Sequence, residues 1–160
     1  MSDNLQSLLQ PTLTNVPKTK PMYSVQSHFF AAFFGGPVGF LLFSFYNVYQ
    51  AGLAKKWWVR YLVLAVVLIV AEILVFVAWK SDLFSTLFSL NLESREVRYI
   101  LKFMALLALG GVYLWQKELF QISAFKAEER PAPWVPVIAC IATGSAVSLI
   151  ISAGVIFYVG

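Results

Sequence analysis

Apolar residues fall in four long blocks along this chain, and the polar and charged residues collect between them. The blocks are His28 to Tyr49, Tyr61 to Trp79, Tyr99 to Trp115 and Val135 to Tyr158. At a helical rise of about 1.5 Å per residue each reaches roughly 25–36 Å, near the thickness of a bilayer's hydrocarbon core. The pattern predicts an all-α fold: a polytopic membrane protein whose four transmembrane helices form one bundle over residues 28–160. Residues 1–27, with Pro11, Pro17 and Pro21 spaced through a polar sequence, read as a flexible tail.

The connecting segments refine this outline. Gln50 to Arg60 carries Lys55, Lys56 and Arg60 with no acid, and Trp57, Trp58 and Tyr61 suit the headgroup level. Between the second and third blocks, Leu83, Phe84, Leu87 and Phe88 recur at helical spacing opposite Ser85, Thr86 and Ser89. A short interfacial helix over about residues 82–90 is expected, capped by Ser81 or Asp82, with Ser94 as the cap of the next helix. Beyond Trp115, Leu119, Ile122 and Phe125 lie on one side and extend the third helix out of the membrane. Pro131, Pro133 and Pro136 then stiffen the connection to the fourth.

Composition agrees with this outline. The 160 residues are 59% hydrophobic and 12% charged, with a mean hydropathy of +0.74, outside the range of soluble domains. The net charge of +4 comes from cations placed beside helix ends rather than on one basic face, which argues against nucleic acid as a partner. With Cys140 and His28 the only residues of their kinds, neither a disulfide nor a Cys/His metal site can be assembled. No catalytic triad, phosphate loop or redox pair is legible, so neither an enzyme nor a cofactor is expected.

Glu72 is the one acid inside an apolar block. Seven residues from Trp79, it lies about 10 Å below that interface, where an ionised carboxylate costs at least roughly 2.5 kcal/mol. It therefore faces protein or water, either protonated or paired with a cation. Depth counting from the Trp79 side suggests its company: the Gly35, Gly36 and Pro37 break in the first block, Lys102 near the start of the third, and Ser152 in the fourth. These residues form a candidate intramembrane polar layer. The bland alternatives are a Glu72 that only fixes helix register and a Lys102 that snorkels to the headgroups. Pro37 predicts a kink or a short unwound turn. Gly35 and Gly39, and Gly144 with Ser148 and Ser152, form small-residue stripes for close helix packing.

Gly35-Gly36-Pro37-Val38-Gly39, followed by Asn47, Gly52 and a basic loop, resembles the first helix of small bacterial four-span membrane proteins that share a Gly-Gly-Pro element. The resemblance covers residues 35–52, with Ala51 standing where those proteins have leucine. It implies a bacterial inner-membrane origin and carries no activity with it.

Four crossings would place the N-terminal tail, the Lys80 to Arg98 connection and the C-terminus on one side. Cations then divide six against six, and the dense Lys55 loop is expected in the cytoplasm, leaving both termini periplasmic. Two functions are expected. The first is a non-enzymatic protein acting through contacts with a membrane partner or with copies of itself, as an accessory, immunity or stress-type component. The second is a small oligomeric transporter or channel using the intramembrane carboxylate. The bilayer itself is a partner in both.

Overall fold

The computed structural model describes residues 22–88, 93–125 and 132–159. Every regular element among them is α-helix: α1 (Val25–Gln50), α2 (Ala54–Lys80), α3 (Leu83–Phe88), α4 (Ser94–Phe125) and α5 (Trp134–Val159). Four of these, all but α3, are long and apolar enough to cross a bilayer. The all-α bundle expected from the hydropathy blocks is therefore present, and the chain is an integral membrane protein. Each helix runs past its apolar block; α1 begins three residues before His28, and the third helix does continue beyond Trp115. Within the expected tail, Met22 and Tyr23 are buried, while residues 1–21 lie outside the described residues.

The path of α1 could not be read from hydropathy. At Gly36 the backbone takes φ 63° and ψ −162°, a conformation that side-chain-bearing residues avoid, and the chain reverses there. In a straight helix His28 and Asn47 would stand nearly 30 Å apart; instead their side chains are 3.1 Å apart. The element is a helical hairpin with arms 25–35 and 37–50. Pro37 opens the second arm, where a helix needs no amide donor, so its fixed φ starts a helix rather than bending one. An arm of 11 residues spans about 16 Å, roughly half the hydrocarbon core.

This fold-back corrects the expected placement of the termini. The open ends of the hairpin lie at the end of the bundle where α2 and α5 begin: Phe45 meets the Tyr61 ring at 5.8 Å and Phe30 meets Trp134 at 6.1 Å. Near the exit of α4, Phe120 meets His28 there at 5.3 Å. Helix α5 then runs the length of the bundle, so residue 22 and residue 159 lie at opposite ends of it.

Short connections follow local rules. Hairpin and α2 are joined through Ala51, Gly52 and Leu53. The Gly52 amide donates to the Tyr49 carbonyl at 2.9 Å and the Leu53 amide to the Val48 carbonyl at 3.0 Å. With Gly52 at φ 74°, this is a Schellman closure. The cap of α4 is built at Glu93 rather than at Ser94, because the Glu96 carboxylate accepts the Glu93 amide at 2.8 Å. Of the expected interfacial segment, residues 83–88 are helix and residues 89–92 lie outside the described residues.

The core forms around the hairpin, which packs against α5, α4 and α2. Phe40, Phe43, Ala31, Ala32 and Val48 are fully enclosed. Helix α2 turns one stripe inward, Trp57, Tyr61, Leu68, Glu72 and Phe76, at the spacing of successive turns. Its opposite face, with Val63, Val66, Val70 and Leu74, is exposed in the bundle and meets lipid.

Candidate functional site

The hairpin ends halfway, and the space beyond its tip is a cavity of about 550 Å³. Its floor is the tip itself, Phe33 to Pro37. Phe76 and Trp79 of α2 form the back. One wall is the α4 ladder Ser94, Arg98 and Lys102, three residues at four-residue intervals that share a helix face. The facing wall is Ser145, Ser148 and Ser152 with Leu149 and Ile156 of α5. The hairpin and α2 come between α4 and α5, which have no substantial packing of their own, so beyond the tip the gap between them stays unfilled.

Glu72 lies behind the serine wall. It is fully buried, and Ser148 Oγ donates to its Oε1 at 2.6 Å. Its Oε2 is buried and has no hydrogen-bond partner among the described residues. One carboxyl oxygen is thus tied to a residue of the cavity wall and the other is unsatisfied, a costly arrangement in an apolar interior. Such a group can exchange a proton, and the Ser148 hydroxyl links it to the cavity wall. Lys102 does not pair with it: the ammonium lies 4.5 Å from the centre of the Phe33 ring and 5.7 Å from that of Tyr99, stacked on aromatic faces.

Of the residues assigned to a polar layer, Gly35, Gly36, Pro37, Lys102 and Ser152 all line this cavity. Glu72 joins them only through Ser148, which sequence reasoning had assigned to packing. The Ser152 hydroxyl instead returns to the Leu149 carbonyl at 2.9 Å. The Gly-Gly-Pro element also reaches this depth from the opposite face to the one used in the depth count, because the hairpin enters where α2 begins.

The glycines of the packing stripes meet one another. A Cβ built at Gly144 would lie 2.4 Å from the Gly39 nitrogen and 2.7 Å from the Gly35 oxygen. Helix α5 therefore rests directly on hairpin backbone, an approach that only glycine permits.

Two polar groups escaped the sequence reading. Arg98 stands one turn before Lys102, and the four-residue interval was the available signal. The second is a clasp at the open end of the hairpin. His28 Nδ1 lies 2.9 Å from the Ser24 carbonyl, which can only accept, so Nδ1 carries the proton and Nε2 accepts from Asn47 Nδ2. Asn47 Oδ1 in turn accepts the Tyr23 amide at 2.7 Å. All three contacts are mutually consistent with a neutral, fully buried imidazole. Among the described residues no cluster of His, Cys, Asp or Glu could hold a metal ion.

The fold and cavity define the class: an all-helical integral membrane protein built on a hairpin that enters the bundle only partway. Comparison with protein families, with curated proteins and with solved structures finds no match to the chain.

Proposed function

We propose that this is a non-enzymatic protein of the bacterial inner membrane that acts as a small transporter, with Glu72 as its proton-accepting group. The observation carrying this reading is the hairpin that stops in mid-bilayer beneath a cavity whose serine wall holds a buried carboxyl by one oxygen. Irregular backbone at membrane depth is tolerated where it is buried in protein or lines a cavity, and broken helices of this kind surround substrate and ion sites in transporters. In this reading the hairpin closes one half of the membrane and the cavity is the vestibule of the other half.

The fold-back also orients the chain in this proposal. Lys55, Lys56, Arg60 and Lys117, four of the eight cations on described residues, share the side of the hairpin's open ends. Lys80, Arg95, Arg98 and Lys102, the other four, lie opposite. The short, acid-free connection that carries Lys55, Lys56 and Arg60 favours the cytoplasm, so in this proposal the hairpin opens on that side and the vestibule opens toward the periplasm.

Purified protein in liposomes, with a potassium diffusion potential imposed and an internal pH dye, tests the reading. Wild-type vesicles should acidify or alkalinise with the sign of the potential, and Glu72→Gln should abolish this while retaining the wild-type elution profile. Silent wild-type vesicles, together with recovery of a stoichiometric membrane partner from cells, would overturn it in favour of an accessory subunit acting by contact.

A further inference from the structure

We infer that the cavity is a binding site for the headgroup of an anionic phospholipid, which enters sideways between α4 and α5. The inference rests on the membrane placement of the cavity and does not require proton transport.

Charge points to the ligand's sign. Arg98 and Lys102 share one wall, and among the described residues no acid lines the cavity. Glu72 is enclosed behind Ser148. Two cations one turn apart, with the Ser145 hydroxyl across the gap, suit a phosphate that carries one negative charge and accepts several hydrogen bonds, while Ser148 and Ser152 donate to Glu72 and to the Leu149 carbonyl.

Geometry points to a lipid rather than a free anion. Helices α4 and α5 have little packing of their own, and the cavity between them reaches the exposed side of the bundle. The residues at that opening are apolar and outward-facing, Phe34, Leu149 and Ile156, a surface on which acyl chains can lie. A water-borne anion would gain nothing from it. A lipid gains both contacts together, the headgroup inside and the chains along α5.

Native mass spectrometry of the full-length protein in detergent tests this with dioleoyl phosphatidylglycerol, dioleoyl phosphatidylcholine and inorganic phosphate as probes. Phosphatidylglycerol should bind in one-to-one stoichiometry and survive a tenfold excess of inorganic phosphate. Arg98→Gln combined with Lys102→Gln should weaken it by about 30-fold, while Lys117→Gln, at the other end of α4, should leave it unchanged. Equal binding of the two lipids, or no effect of the double substitution in a protein with unchanged elution, would overturn the inference. Displacement by inorganic phosphate would likewise overturn it, marking a free-anion site. Because Glu72→Gln keeps both cations, it should bind phosphatidylglycerol like the wild type, so the fate of proton flux is read separately.

Discussion

The Asn47 side-chain amide donates to Nε2 of His28, nineteen residues earlier in the same apolar block, across 3.1 Å. That contact closes the hairpin at its open end, and Gly36 reverses it at the tip. Between them they turn a segment long enough to cross the bilayer into one that enters and leaves on the same face.

Breaking the clasp should loosen the whole bundle, because the hairpin is its centre. Asn47→Ala leaves the Tyr23 amide and His28 Nε2 buried without partners, at a cost of about 2–4 kcal/mol. The expected outcome is a lower thermal unfolding midpoint of the detergent-solubilised protein. An unchanged midpoint would mean that the clasp contributes nothing to the hairpin.

The close approach of α5 should tolerate no side chain at residue 144. Gly144→Ala drives a methyl group into the Gly39 backbone, and backbone cannot yield as a flexible side chain can. The variant should accumulate poorly and elute as aggregate. Gly154→Ala, where a Cβ would meet nothing within 4 Å, should elute as the wild type does.

The reversal at the tip is a conformational demand rather than a packing one. At Gly36 a Cβ would also meet nothing within 4 Å, yet φ is +63°. Gly36→Ala should therefore destabilise by about 1–3 kcal/mol through strain alone. Gly110→Ala, in the middle of helix α4 and equally open, should be neutral or gain up to about 1 kcal/mol from helix propensity. Thermal melts of the two variants side by side separate the effects.

Glu72 and Ser148 should behave as a coupled pair. Ser148→Ala removes the hydrogen bond to the carboxyl and should cost about 1–3 kcal/mol. In a Glu72→Leu background the same change should cost far less, since no polar group is left to satisfy. Additive losses in this double-mutant cycle would dissolve the pair.

Reporter fusions check the orientation proposed for the chain. A fluorescent protein that fails to mature in the periplasm should be bright when fused before Met1, and alkaline phosphatase should be active when fused after Gly160. Two reporters indicating the same side would contradict the fold-back of α1, which leaves three complete crossings.

Hydropathy and length were sufficient for the all-helical membrane bundle, for a Glu72 that faces protein or water rather than lipid and for the depth of the Gly-Gly-Pro element. Each of these follows from local quantities: apolar surface per residue, helical rise, and the conformations open to glycine and proline. The depth count even collected five of the cavity's lining residues, Gly35, Gly36, Pro37, Lys102 and Ser152, because depth is nearly symmetric about the middle of a membrane.

Hydropathy could not distinguish one helix that crosses from two arms that return, since both bury the same apolar residues. That choice belongs to contacts distant in sequence: His28 with Asn47, Gly39 with Gly144, and Ser148 with Glu72. They also settle which face Gly35 to Pro37 approaches from and which serine reaches the acid. The sequence by itself determined that this protein lies in a membrane and keeps a carboxyl inside it. Only the tertiary structure decided that the first apolar block stops halfway, because the energy separating the two paths lies in a few buried hydrogen bonds and one glycine contact rather than in hydrophobicity.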